Sequence, residues 1–502
     1  MDILQSLVYG FSVALTPQNL FYCFIGTVLG TAVGVLPGLG TITGVAILIP
    51  ATLGMPPTSA LIMLAGIYYG AQYGGSTTAI LMNLPGESTA VMTCLDGHQL
   101  ARQGRAGEAL GMAAIASFIA GTASVVALMF VAPTLAMVAL NFGPPEYAAL
   151  MILSLTTIGG LLGESLIKGL ITAVLGLMIG TVGIDPQSGV PRFTFGMPEL
   201  LGGIGFLPVI IGLFGVAEVL QNIEHALGRE ALARKIHRLL PAAADWIAVR
   251  MSIVRGTAIG FFLGTLPGIG ATAATMIAYI AERRQSRTPE RFGKGAIEGV
   301  AAPEAANNAS ATGAMVPLLT LGIPASGTAA VLLGALILND VQPGPRLFET
   351  NPDLVWGVIA SMYLGNVMLL ILNLPLIGIW VRLVRVRYGI LGPLTLFFAF
   401  VGVYATDTNP FDVYVMIVSG VVGYLLRKLQ FPEGPLILGL VLGPLLEDQV
   451  RRSLTLSLGD PTIFVTRPIS GTIMTVALLC LLAPLLRVGW RAARGRSSSV
   501  PL

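Results

Sequence analysis

The chain has 502 residues, of which 54% are hydrophobic and 11% charged, and its mean hydropathy is +0.83. A soluble domain carries about 25% charged residues, so this composition excludes an ordinary water-soluble fold, and no polar block is long enough to form a separate soluble domain. The net charge of +3 sits in short basic clusters between apolar runs, which argues against nucleic acid as a partner, and the three cysteines (Cys23, Cys94, Cys480) lie in apolar settings unsuited to a disulfide framework.

In chain order, the opening MDILQSLVYG lacks a basic n-region, so no cleavable signal is expected and the first membrane segment serves as its own insertion signal. Residues 1–19 either cross the membrane or lie along its interface. A bilayer crossing takes roughly 20 apolar residues, and the runs 20–36, 108–140, 200–222, 354–381 and 471–488 meet that demand. The expected fold is an all-α polytopic membrane protein. It has about 12 transmembrane segments in two inverted-topology repeats with Pro/Gly-broken or re-entrant helices.

The repeats are visible as self-similarity. Gly26-Thr27, Gly30 and Gly34-Val35-Leu36-Pro37-Gly38-Leu39-Gly40 recur in unbroken register as Gly256-Thr257, Gly260 and Gly264-Thr265-Leu266-Pro267-Gly268-Ile269-Gly270. Further on, Leu84-Pro85 and Thr89-Ala90 match Ile323-Pro324 and Thr328-Ala329, and Ile115-Ala116-Ser117 with Gly121 matches Ile359-Ala360-Ser361 with Gly365. The expected division is repeat 1 over 20–222, a basic cytoplasmic linker over 223–251, repeat 2 over 252–450, and a final helix with a basic tail over 451–502.

Lys and Arg concentrate in cytoplasmic loops. In repeat 1 the first loop, 51–57, is uncharged and the next, His98 to Arg105, is basic. In repeat 2 the first loop is basic (Arg283, Arg284, Arg287, Arg291, Lys294) and the next, Asp340 to Arg346, is poor in basic residues. Equivalent loops therefore fall on opposite sides, as an inverted repeat requires. The linker, Arg382 to Arg387, Arg427-Lys428 and the tail are expected inside; Arg451, Arg452 and Arg467 run against this count.

Two kinds of segment carry the chemistry. The Pro37, Gly38, Gly40 run and the Pro267, Gly268, Gly270 run break helices at membrane depth, because proline removes an amide donor and glycine opens backbone angles closed to other residues. The freed N–H and C=O groups survive in oil only where they line a polar cavity, and there helix N-termini favour anions. The second kind is polar: Ser76, Thr77, Asn83, Pro85, Gly86, Ser88 and Thr89 in repeat 1, and Asn307, Asn308, Ser310, Pro324, Ser326 and Thr328 in repeat 2. Hydroxyls and amides suit hard cations and can donate to a carboxylate substrate. Ser and Thr also serve as ordinary helix–helix glue in membranes. Glu87, Glu304 and Asp407 are candidate ionisable ion or proton sites, as acids near apolar segments. Asp185, Asp340, Asp353 and His98 read as loop residues.

The approach to Pro37-Gly38-Leu39-Gly40, the run Tyr69-Gly70-Ala71-Gln72-Tyr73-Gly74-Gly75-Ser76, the segment Asn83-Leu84-Pro85-Gly86-Glu87 and the stretch from Glu298 to Asn308 together resemble the large membrane subunit of tripartite tricarboxylate transporters, the TctA type. The likeness covers essentially the whole chain. It implies a bacterial inner-membrane permease working with a small membrane subunit (TctB type) and a periplasmic solute-binding protein (TctC type); the basic tail separately places the C-terminus in the cytoplasm, and the paired broken helices suit alternating access. The resemblance further implies uptake of organic carboxylates driven by Na+ or H+. No Gly-x-x-x-x-Gly-Lys-Ser/Thr loop is present, so ATP drive would come from another chain. No His-Glu-x-x-His or Gly-x-Ser-x-Gly points to an enzyme, a metal site beyond Na+, or a bound cofactor. The competing reading is a stand-alone secondary transporter or exporter of another inverted-repeat family.

Overall fold

The computed structural model describes residues 3–36, 39–161, 165–225, 238–268, 270–384, 386 and 388–493. Pro37 and Gly38, part of the 223–251 linker and the end of the basic tail lie outside the described residues. The chain forms two compact units, one of Met1–Leu140 with Ile204–Leu429, the other of Asn141–Gly203 with Gln430–Leu502. Each draws on both halves of the sequence.

The fold is helical. In order come α1 (Ile3–Ala14), α2 (Pro17–Val35), α3 (Thr41–Leu48), α4 (Pro57–Met82), α5 (Val91–Arg102) and α6 (Ala106–Ala139). They are followed by α7 (Pro144–Leu161), α8 (Leu166–Gly180) and a small antiparallel hairpin, β1 (Gly183–Ile184) with β2 (Pro191–Arg192). Next are α9 (Phe206–Ile210) and α10 (Ala217–His225), joined by a π-helical segment, then α11 (Ala243–Thr265), α12 (Gly270–Gln285), α13 (Glu298–Leu321) and α14 (Gly327–Leu338). The chain ends through α15 (Leu347–Thr350), α16 (Pro352–Asn373), α17 (Ile377–Leu383), α18 (Tyr388–Asp407), α19 (Pro410–Lys428), α20 (Gly434–Leu456), α21 (Ile463–Thr466) and α22 (Pro468–Ala493). Seven helices among the described residues are long and apolar enough to cross a membrane: Pro17–Val35, Ala106–Ala139, Phe206–Glu224, Ala243–Thr265, Pro352–Asn373, Gly389–Asp407 and Pro410–Lys428.

Local chemistry sets the boundaries. Proline opens α2, α16 and α19, where its missing N–H costs nothing. The Asn409 side chain accepts the Phe411 N–H at 3.0 Å to cap α19. At the other end, α4 stops at Asn83 (φ 55°) and α13 at Gly322 (φ 67°), two left-handed caps at corresponding places in the two halves.

In the first unit α4 and α13 are buried along almost their whole length. Each is held by a glycine ladder. A Cβ on Gly26, Gly30 or Gly34 of α2 would lie 2.2–2.3 Å from the carbonyl oxygens of Met63, Ile67 and Ala71 of α4. A Cβ on Gly256, Gly260 or Gly264 of α11 would lie 2.3–2.4 Å from those of Ala302, Ala306 and Ser310 of α13. Glycine and carbonyl numbers rise together, so both pairs run parallel, and the small residues let backbone touch backbone.

Asp96 of α5 ties the first half to the second. It is fully buried; Oδ1 accepts the N–H groups of Gly293, Gly295 and Ala296, each at 2.8 Å, and Oδ2 accepts the Tyr279 hydroxyl at 2.8 Å. Gln103 Nε2 donates to Lys294 O at 2.8 Å, so the basic loops at 98–105 and 283–294 lie side by side. His98 lies on α5 rather than in a loop, with Nδ1 3.0 Å from Ile80 O. Asp353 lies in the first turn of α16 and accepts the Tyr9 hydroxyl at 2.8 Å.

In the second unit α8 packs on α20 through Gly176 against Leu436 O and Gly439 against Ala173 O. The three arginines that ran against the loop count are all ion-paired here. Arg451 grips Asp185 through two 2.9 Å bonds and also meets Glu447 at 2.6 Å; Arg452 pairs with Asp448 at 2.9 Å and Arg467 with Glu146 at 2.7 Å. The Arg451 guanidinium, helped by the Gln187 N–H, holds the Asp185 carboxyl below the usual carboxylate range.

Candidate functional site

Four proline-bearing runs interrupt the helices of the first unit: between α2 and α3, between α4 and α5, between α11 and α12, and between α13 and α14. The interruptions meet. Glu87, in the second, accepts the hydroxyls of Thr41, in the first turn past the first interruption, and of Thr89. The Ser88 hydroxyl is 2.9 Å from that of Thr272, in the first turn past the third. The Gly268 N–H of the third donates to Ala325 O of the fourth at 3.2 Å. A Cβ on Gly327, just past the fourth, would lie 2.9 Å from Ile42 Cδ1, and one on Gly86 would lie 2.2 Å from Gly34 O. A closed ring of broken helix ends results, with Glu87 on it. Asn307 Nδ2 of α13 reaches Glu87 Oε1 at 3.3 Å from the side.

One turn earlier on α13, Glu304 shares a face with Asn307 and Asn308. Its carboxylate is 1% exposed and accepts three hydroxyls from three helices: Ser76 of α4 at 2.7 Å, Ser117 of α6 at 3.3 Å and Thr93 of α5. Beside it lies a cavity of about 10 Å³ lined by Tyr73, Ser76, Thr77, Leu110, Ala113, Ala114, Ser117, Glu304, Asn373 and Ile377. The Tyr73 hydroxyl and Asn373 Oδ1, on residues 3% and 4% exposed, have no hydrogen-bond partner, and the same holds for Oδ1 of Asn307 and of Asn308. No Lys, Arg or His is buried among the described residues. Both carboxylates are thus held by neutral groups alone. A second cavity of about 570 Å³ lies between α2, α3 and α18; its lining, such as Leu36, Leu39, Ile47 and Phe398, is mostly apolar, with Thr43 and Thr395 its hydroxyls and no charged residue.

The residues singled out from the sequence fall into three groups. Ser76, Gly86, Glu87, Ser88, Thr89, Gly268, Glu304 and Asn307 join the ring or the Glu304 cluster, and Thr77 lines the small cavity. Asn308 Nδ2 reaches Glu304 O at 3.4 Å, Ser310 Oγ donates to Asn307 O at 2.8 Å, and Thr328 is buried in the first turn of α14. Others shape the backbone. Gly40, Gly268 and Gly270 adopt φ of 60°, 86° and 68°, and Pro85, Pro267 and Pro324 lie in the interruptions. Ser326 Oγ accepts the Ala329 N–H at 3.2 Å as the cap of α14, and Asn83 is the exposed left-handed cap of α4. Pro37 and Gly38 lie outside the described residues, and Asp407 is exposed at the end of α18, apart from both clusters.

Sequence reasoning passed over Thr41, Tyr73, Thr93, Ser117, Thr272 and Asn373. Two signals were available. Thr41 and Thr272 follow Gly40 and Gly270 closely, placing a hydroxyl just past a break in each half, and Ser117 belongs to the Ile-Ala-Ser motif that recurs at 359–361.

The model of the tripartite tricarboxylate transporter TctA family matches residues 20–438. A curated protein of Agrobacterium vitis, described as an uncharacterized 52.8 kDa protein in the TAR-I ttuC' 3'region, is 49% identical over 486 residues, covering 97% of each chain. A second from the same organism, an uncharacterized protein in the TAR-II ttuC' 3'region, is 49% identical over 227 residues, 45% of this chain and 94% of its own. No solved structure matches.

Proposed function

Because the chain belongs to the tripartite tricarboxylate transporter TctA family, we propose that it is the permease subunit that carries tricarboxylates or related organic acids across the bacterial inner membrane by alternating access. An ion gradient, Na+ or H+, drives the uptake. The small membrane subunit and an extracytoplasmic binding protein are its partners, and it is a transporter rather than an enzyme. The observation that carries this reading is the ring in which four helix interruptions meet around Glu87. Three of the helices there, α3, α12 and α14, begin at an interruption. Their first-turn N–H groups are donors suited to a carboxylate where no buried base is present. The Ser88, Thr272 and Thr41 hydroxyls supply the remaining polar surface.

An inverted pair of repeats supplies the alternation, with about 12 crossings counted from both halves together. The glycine ladders of α2 on α4 and α11 on α13 recur in register, as that symmetry needs. The basic loops 98–105 and 283–294, which hold different places in their repeats, touch each other, which supports one shared cytoplasmic side for both.

Reconstitution tests this. The chain, its small subunit and the binding protein are placed in proteoliposomes with labelled citrate inside or outside a sodium or proton gradient. Uptake that stops when both gradients are dissipated supports the reading; uptake indifferent to both rejects the coupling. Full uptake by this chain alone would favour the stand-alone transporter instead.

A further inference from the structure

We propose that the small cavity beside Glu304 is a binding site for one dehydrated monovalent cation of sodium size, filled before the carboxylate substrate reaches the ring. The proposal rests on the transporter reading above and assigns its coupling ion a place.

Charge is the first argument. Glu304 is 1% exposed, and no Lys, Arg or His is buried among the described residues. A carboxylate in such a place is matched by a bound cation or neutralised by a proton. The donor set is the second. The polar residues lining the cavity carry oxygens, among them the carboxylate, the Ser76 and Ser117 hydroxyls, the Tyr73 hydroxyl and Asn373 Oδ1, beside apolar Leu110, Ala113, Ala114 and Ile377. Asn373 Nδ2 is already committed to Leu369 O at 3.0 Å, while its Oδ1, like the Tyr73 hydroxyl, lacks any partner. Both are nine-tenths buried or more, and unspent acceptors beside a carboxylate are what a hard cation needs and what another anion would repel. The serine hydroxyls, which now donate to Glu304, can rotate and present lone pairs instead.

Size and charge narrow the choice. A cavity of about 10 Å³ holds about one water-sized sphere, so a hydrated ion is excluded. Among the described residues no group of three or more His, Cys, Asp or Glu could hold a metal ion, and Glu304 is the one carboxylate lining this cavity. One carboxylate balances one positive charge.

The order of binding follows from the same geometry. Glu304 and Asn307 lie on one face of α13, and Asn307 Nδ2 reaches Glu87 on the ring. An anionic substrate arriving there feels two uncompensated carboxylates across a low-dielectric interior, where repulsion is strong. A cation at Glu304 removes one of them.

The test is equilibrium binding of ²²Na+ to the purified full-length chain in nanodiscs, without substrate. The expected result is saturable binding weakened at least about tenfold by Glu304→Gln and several-fold by Asn373→Ala, with Glu349→Gln, on an exposed helix end, unchanged. Thermal melting of each variant separates lost binding from lost fold, and the milder Asn373→Ala keeps the test informative if Glu304→Gln does not insert. Wild-type ²²Na+ binding by both folded variants overturns the site even if gradient-driven uptake persists. Absence of saturable ²²Na+ binding by the wild type, with proton-driven uptake intact, overturns it in favour of a proton on Glu304. Loss of binding in Glu304→Gln with uptake indifferent to every gradient keeps the site and removes the transporter reading.

Discussion

Two sets of carboxylates in the chain, one facing arginines and one facing only neutral groups, live by different rules. In the second unit Asp185, Glu447, Asp448 and Glu146 each face an arginine, at 2.6–2.9 Å, as buried Glu282 of the first unit faces Arg255 at 2.7 Å. Glu87 and Glu304 of the first unit are buried but meet only hydroxyls and an amide. An ion pair holds a fold in place and closes the account of its charge. A buried acid met only by side-chain hydroxyls and amides, unlike Asp96 with its three main-chain N–H donors, keeps a charge that something mobile has to settle, and that is where transport chemistry is expected.

The contrast breaks most cleanly at the unpaired acids. Glu304→Gln is expected to lower gradient-driven uptake by about a hundredfold or more while membrane insertion and melting temperature stay at or above wild type, because a neutral amide removes a desolvation cost. A melting temperature that falls with uptake would class Glu304 with the structural acids. Glu87→Gln is expected to give the same split with a higher substrate KM, measured in proteoliposomes, since Glu87 lies on the ring itself. At the paired acids the pattern reverses. Arg467→Ala leaves Glu146, 1% exposed, without its partner, and is expected to cost about 1–2 kcal/mol of stability by detergent melting, discounted because the arginine is part-solvated. Uptake per folded molecule should not change. Ser117→Ala, which removes one of three donors to Glu304, is expected to reduce uptake several-fold only. The smallest effect is a pH dependence. Asp185 has its folded pKa lowered by Arg451, so its contribution is present above the unfolded value near about 3.9 and is lost as pH falls below that. Asp185→Asn should flatten the acid limb of the stability curve and leave the neutral region displaced by a constant amount.

What could be seen in the sequence was whatever depends on backbone geometry. Glycines spaced by four announce a close helix seam, and the Gly26 and Gly256 series do form one. Proline next to glycine ends a helix, and the helices stop at Val35, Met82, Thr265 and Leu321 beside such runs. Glu87 and Glu304 stood out as acids near oil, but the same criterion also raised Asp407, which caps nothing buried and sits exposed at a helix end. Hydroxyls were harder. Thr93 and Ser117 resemble the many Ser and Thr side chains that merely bond their own helix, as Thr134 does to Phe130 O, and only the approach of a third helix makes them ligands of Glu304. Asp96 was invisible because its partners are main-chain N–H groups nearly two hundred positions away. Arg451 and Arg467 misled a rule that counts positive charges without asking what faces them. The joining of 141–203 with 430–502 in one compact unit leaves no trace in composition, since both stretches read like their neighbours.

The glycine ladders have a mechanical consequence. Two helices bonded along several turns, carbonyl against Cα, resist bending far more than either does alone, as two planks glued face to face outlast two loose ones. Flexure in the first unit is therefore forced out of the seams α2–α4 and α11–α13 and into non-helical stretches such as 83–87 and 322–326 that follow α4 and α13. The compliant joints of the machine and its polar ring are then the same few residues, so that whatever settles there also sets how freely the rods can swing.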